Sequence, residues 1–322
     1  MSQFKRILYV SEPAVSQELA FARAVSMAIK NQAKLTVIDV MSPLLISMHL
    51  PPEAPSSAEL KANLVAERYN VLQSLTEPYS KDNQITLTVV EGKCFLEVIR
   101  TVLRDGHDLV IKPAENPDFI ERLFGSDDMH LLRKCPCPVW LIKADEPQDY
   151  RCIMAALDFD PEEPASAEQG PNPQIVEFAT SLAIADFADL HFVHAWDAPG
   201  EMLFQVWSDT PETSSVSYTE GERARHQVVM DALDREIHER VGDKAYDYLS
   251  PQFHLRQGPA PRVIPAMAKQ LQADLVVMGT LGRTGISGLI IGNTAEAILD
   301  QLTCSVLAIK PPGFVSPVTL AE

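Results

Sequence analysis

"VVMGTLGRTGISGLIIGNTAEAIL", residues 276–299, runs from an unbroken apolar stretch, through glycines at 279, 282, 285, 288 and 292, into residues of helical character. A short apolar run closed by glycine reads as a strand buried on both faces. Strands of that kind belong to parallel sheets covered by helices. The glycines add a second signal. Glycine reaches positive φ and lets backbone N–H groups come close to a ligand. Successive amides in such a turn form an anion-binding hollow. A helix start beyond it adds unpaired N–H groups and partial positive charge. The stretch therefore predicts a strand, a phosphate-binding loop and a helix from about Thr294, whose hydroxyl stands at that end.

The same grammar extends in both directions and occurs twice. In the second half, "CIMAALDF", "LHFVHAW", "QFHLRQG", "DLVVMG" and "SVLAIKP" read as strands, separated by helices over 173–186, 220–241, 262–272 and 294–302. In the first half, "RILYVSEP", "KLTVIDV", "ITLTVVEG", "DLVIK" and "PVWLIK" are the strands. The helices between them include one with Leu19, Ala22, Ser26 and Ile29 close to helical spacing, one over 57–76 with Leu60, Leu64, Val71 and Leu75 near one face, one over 94–104 and one over 119–133. The copies match strand by strand: Ile7 answers Ile153, 146 positions on, and Leu109 answers Leu275, 166 positions on. The fold class is α/β: two tandem copies of a five-stranded parallel sheet, order 3-2-1-4-5, with helices on both faces. Domains over 1–146 and 150–312 follow, joined by the polar linker "ADEPQDY".

Composition bounds the chemistry. The chain has 322 residues, 46% hydrophobic and 22% charged, with a net charge of −17. That charge excludes a general nucleic-acid binder, which needs Lys and Arg against phosphates. It leaves room for a local anion site made of backbone amides. No apolar run is long enough to insert in a membrane, and "MSQFKRILYV" does not read as a signal peptide. Five cysteines (Cys94, Cys135, Cys137, Cys152 and Cys304) make no disulfide framework and point to a reducing, cytoplasmic compartment.

In an open parallel sheet, ligands lie beyond the carboxyl ends of the strands where the order reverses. For 3-2-1-4-5 that crevice falls between strands 1 and 4, which end at Asp158 and Gly279 in the second copy. Asp158 there suits a ribose hydroxyl or an adenine amine. The turn-rich "DFDPEEP" equally allows a turn or capping role. Arg283, after Gly282, has two readings of equal weight, phosphate or acidic surface.

These residues resemble a known family. Gly279-x2-Gly282-x9-Gly292, followed by a small polar residue, is similar to the nucleotide loop of universal stress proteins. The duplicated domain, Asp158 and the closing "CSVLAIKP" match as well. "GTLGRTGIS…GNTAE", "HDLVIK" and "HLLRKCPCPVW" resemble the tandem E-type members. The resemblance implies ATP or AMP, with or without Mg, in the second domain. It places Ala156, Leu157, Asp158 and Ala195 on the adenine and ribose side, and Met278, Gly279, Gly282, Arg283, Gly292, Asn293 and Thr294 on the phosphate side. Asn293 departs from the Ser or Thr usual in nucleotide binders, though its amide also donates.

The first copy differs. Pro113 stands where Gly279 stands, and proline has no N–H to donate. Glu12 answers Asp158, and Asp127 and Asp128 follow. No nucleotide is expected there, and the domain reads as a partner surface for the second. The apolar final strand suits a homodimer or an intramolecular pseudo-dimer. His191 and His194, three apart on one strand, point to opposite faces and exclude a simple two-His metal site. Cys135-Pro136-Cys137 reads as packing at the start of a strand. Segments 41–56 and 197–219 read as apolar lids or as a partner surface. No Walker lysine follows the glycines. The expected role is therefore regulatory nucleotide binding in a stress response, with at most slow ATP hydrolysis or autophosphorylation at Ser287 or Thr284 as the resemblance allows. A nucleotide-free scaffold for another apolar ligand or protein is the remaining alternative.

Overall fold

The computed structural model describes residues 4–43, 57–80, 84–115, 126–144, 146–163, 170–201, 211–280 and 292–320. The chain divides into two compact units. The first comprises Met1–Gln148, Ser305–Ala308 and Phe314–Glu322, the second Asp149–Cys304 and Ile309–Gly313. The repeat alone assigns all of 150–312 to one domain, whereas by compactness Ser305–Ala308 go with the first unit.

In the first unit the strands are β1 Arg6–Val10, β2 Lys34–Met41, β3 Ile85–Glu91, β4 Leu109–Pro113 and β5 Val139–Ile142. They lie in the order β3-β2-β1-β4-β5, with parallel neighbours. The helices are α1 Glu18–Asn31, α2 Ser57–Thr76, α3 Cys94–Asp105 and α4 Ser126–Lys134. β4 and β5 are buried throughout, whereas β3 at the edge is half-buried. That gradient is why "DLVIK" and "PVWLIK" are continuous apolar runs and "ITLTVVEG" alternates.

The second unit repeats the plan with β6 Cys152–Leu157, β7 Asp189–Trp196, β8 Gln252–Gln257 and β9 Leu275–Gly279, in the order β8-β7-β6-β9. β10, Ser305–Ile309, is buried throughout. Its last residue, Ile309, accepts the Thr280 amide at 3.1 Å within this unit. The helices are α5 Asn172–Asp186, α6 Pro211–Val241, α7 Asp243–Leu249, α8 Ala260–Leu271 and α9 Asn293–Leu299.

One device recurs in both units. Asp108 and Asp274 each stand immediately before the fourth strand of their copy. The Asp108 carboxylate accepts the Lys5 and Arg6 amides at 2.7 and 3.0 Å. Asp274 accepts those of Arg151 and Cys152 at 2.7 and 3.1 Å. Each clamps the start of strand 1 to the start of strand 4, the two strands whose far ends bound the crevice.

Three expectations are corrected. In α1, Leu19 and Ile29 are exposed, and the face against the sheet is Ala20, Phe21, Ala24, Val25 and Ala28. Three of these five are alanines, whose small side chains let a helix lie close to a sheet. In α2, Val71 is likewise exposed and the neighbouring Leu72 is buried. Residues 211–219 are not a lid but the first turns of α6, which begins at Pro211 and runs for 31 residues. Proline is favoured at a helix start because its missing N–H is not needed there. The other lid residues, 44–56 and 202–210, lie outside the described residues, as do 119–125 of the expected fourth helix. α6 stops at Gly242, whose φ of 79° is open to glycine at no steric cost, and α7 follows.

Candidate nucleotide site

The order reverses at β6, which has β7 on one side and β9 on the other. Ala156 pairs with Val193 of β7 and with Met278 of β9, and Leu157 pairs with His194. The carboxyl ends of the three strands therefore stand together. Ala156, Leu157 and Asp158 are brought beside Met278 and Gly279, with Ala195 one step beyond His194. Asp158 is exposed, Ala156, Ala195 and Gly279 are half-buried, and Leu157 and Met278 are buried.

The turn that carries Asp158 is held from several directions. The Asp158 amide donates to Asn172 Oδ1 at 3.3 Å, and Asn172 Nδ2 donates to the Asp158 carbonyl at 2.7 Å. His194 Nδ1 lies 3.1 Å from the Leu157 carbonyl. A carbonyl only accepts, so Nδ1 donates to it, and Nε2 lies 3.0 Å from His226 Nδ1. Phe159 stacks on the His194 ring, with centroids 3.7 Å apart. His194 thus grips the residues on both sides of Asp158 and fixes where that carboxylate stands. Sequence reasoning placed His194 as a strand-end polar residue and missed His226, which comes from α6, 32 positions on.

On the other side of the crevice, the Gly292 amide donates to the Thr280 carbonyl at 2.9 Å. That bond closes the neck of the segment between them. Gly292 caps α9 with extended backbone (φ −74°, ψ 140°), and Asn293 and Thr294 are exposed at its start. Gly282 and Arg283, with Thr284 and Ser287, lie outside the described residues. The donors and acceptors in place suit a nucleoside phosphate: Asp158 accepts from hydroxyl or amino groups, and Asn293 and Thr294 donate.

The equivalent crevice of the first unit is built differently. Lys112, on β4, is fully buried. Its ammonium lies 2.8 Å from Asp128 of α4, 3.2 Å from Glu12 after β1 and 3.4 Å from Glu115. The Glu115 amide also donates to Asp128 at 2.8 Å. Burial works against the Lys112 charge, but the three carboxylates outweigh it and raise its pKa. Burial, then Asp128, push the Glu115 carboxyl up to about 7. Cys94, at the start of α3, is pushed up to about 12 by burial and is no nucleophile. Glu12 and Asp128 were legible as acidic residues near this crevice; Lys112 as their common partner was not.

His191 pairs with His254, with ring nitrogens 3.0 Å apart, and burial lowers the pKa of both. Among the described residues no group of three or more His, Cys, Asp or Glu is arranged to hold a metal. Cys135 and Cys137 are buried, with sulfurs 3.6 Å apart, and all five cysteines are free. Among the described residues no helix is long and apolar enough to cross a membrane.

Comparison with known proteins agrees with the repeat. The universal stress protein family matches residues 3–143 and again 150–310. The chain is 29% identical to universal stress protein E of Escherichia coli K12, over 100% of this chain and 99% of that one. It is 30% identical to the homologue from Haemophilus influenzae, over 96% and 98%. Among solved structures, a protein of unknown function from Pseudomonas aeruginosa PAO1 aligns with a TM-score of 0.66 at 27% identity, covering 96% of this chain and 94% of that chain. A putative universal stress protein from another strain of that species gives 0.65 at 28%, with the same coverage. The chain belongs to the universal stress protein family and carries two of its domains in tandem.

Proposed function

We propose that the protein is a cytoplasmic, nucleotide-responsive stress protein that binds ATP or AMP in the crevice of its second unit. The observation that carries this reading is the convergence at the switch point: the exposed Asp158 carboxylate stands at the end of β6, and the Thr280–Gly292 bond closes the neck of a glycine-rich segment at the end of β9. A sheet of this type presents ligands at that place. Asp158 receives the ribose or adenine, held in position by Asn172 and His194. The glycine-rich segment, which lies outside the described residues, is assigned the phosphates, because glycine lets backbone N–H groups come close to an anion. Mg, when present, accompanies the phosphates as part of the ligand. The site binds and reports a nucleotide; its chemistry is recognition.

A thermal-shift titration tests this. Ligand at about 100 times its dissociation constant stabilises the folded chain by roughly 2.7 kcal/mol. ATP or AMP at millimolar concentration is expected to raise the melting temperature by several degrees, and Asp158→Ala to reduce that rise. A melting temperature unmoved by either nucleotide would refute the reading.

A further inference from the structure

Lys310 follows β10 and is only 5% exposed, and Thr280, at the neck of the glycine-rich segment, is fully buried. The Lys310 ammonium donates to Thr280 Oγ1 at 2.8 Å. Thr280 is thereby held through four hydrogen bonds. Its amide donates to Ile309 at 3.1 Å, its carbonyl accepts from Gly292 at 2.9 Å, and its hydroxyl accepts from Lys310 and donates to the Ile309 carbonyl at 3.5 Å. Arg283, outside the described residues, is the cation expected on the phosphate side, and no lysine follows the glycines in the sequence. A lysine arrives instead from the end of the last strand.

We infer that Lys310 is a positioning residue for phosphate recognition in the second unit, bracing the Thr280–Gly292 neck and setting a fixed positive charge beneath it. The inference rests on the nucleotide reading above.

The first unit supplies an internal comparison. Ala114 and Lys143 occupy the positions of Thr280 and Lys310. The Ala114 amide donates to Ile142 at 2.8 Å, the same backbone tie as Thr280 to Ile309. Alanine offers no hydroxyl, so the side-chain brace cannot form there. The backbone tie is thus a property of the fold, and the lysine–threonine brace accompanies the glycine-rich segment alone. Keeping an ammonium out of water is costly. A methionine would fill similar volume without that cost, so the charge is the informative part. A positive charge fixed under a turn strengthens the turn's attraction for an anion, and low exposure keeps it from being screened by salt.

The test uses the full chain and measures dissociation constants for ATP, AMP and adenosine by calorimetric titration. Lys310→Met is expected to weaken ATP about tenfold, the scale of one charge-assisted hydrogen bond. Adenosine, which lacks phosphate, should be unaffected, so the preference for ATP over adenosine shrinks. Lys310→Arg should restore most of that preference. Should Lys310→Met fold poorly, Thr280→Val supplies the second variant. It removes the acceptor, keeps the cation, and should also narrow the preference. An unchanged ATP-to-adenosine ratio in the folded variants, whether both ligands weaken equally or neither does, overturns the inference while leaving the nucleotide reading intact. A wild-type chain that binds none of the three overturns both.

Discussion

Glu115 shows what a single carboxyl gains from its neighbours. Its group is held up at about 7 by burial first, then by Asp128, with Lys112 pulling the other way and Asp127 and Glu12 adding to the rise. In an unfolded chain a glutamate titrates near 4.3. The folded state therefore binds this proton more tightly. The stability it contributes is complete below about pH 4.5 and is lost as pH rises through about 7. At about 1.4 kcal/mol per unit of pKa difference, the loss is at most about 4 kcal/mol, and solvent screening at this part-exposed group makes it smaller. Glu115→Gln, which stays neutral, is expected to flatten the fall in melting temperature between pH 5 and 8. At pH 8 it should melt above the wild type. Parallel melting curves for the two proteins across that range would contradict the account. The acidic half of this cluster was readable from the chain, because Glu12 and Asp128 fall where the repeat puts the ligand side. Lys112 was not, because a lysine closing "DLVIK" looks like a strand leaving the core. Partners 100 positions upstream and 16 downstream, with Glu115 beside them, make its full burial tolerable.

Elements were legible where hydrophobic period and repeat agreed, and misread where residue size decided. The strands of the core and their 3-2-1-4 order follow from continuous apolar runs alternating with helices. The inward face of α1 does not, because alanines at 20, 24 and 28 score weakly as apolar yet are what a close helix-on-sheet contact requires. The paired aspartates before β4 and β9 belong to this scale too. Asp274 gathers two strand-start amides. Asp274→Ala should leave them to water and lower stability by about 1–2 kcal/mol. Asp274→Asn keeps one acceptor oxygen and should cost less. Urea unfolding measures both, and an alanine variant with the wild-type midpoint would mean that the clamp is idle. β6 and β9 carry opposite walls of the crevice at their far ends, so the clamp stabilises the frame on which the ligand residues stand.

At the scale of the whole chain, the proposed nucleotide binding poses a question of number: two copies of one fold, one nucleotide or two. The net charge of −17 does not decide it, because charges more than about 8 Å away are largely screened at physiological salt. The two crevices decide it locally. In the second unit the neck is glycine and threonine, with a lysine donating from below. In the first, Pro113 withdraws an amide at the matching position. One buried ammonium there already faces three carboxylates within 3.4 Å. Phosphate entering that place would meet a site carrying excess negative charge and would have to break the Lys112–Asp128 pair. Breaking a buried pair costs about 3–5 kcal/mol, more than one added phosphate contact returns. Titration of the full chain with ATP should therefore saturate at one nucleotide per chain, and Asp158→Ala should weaken that single event without revealing a second. A stoichiometry of two would mean that the lysine cluster opens to admit the ligand, and Lys112→Met would then change the first binding event and leave the other alone.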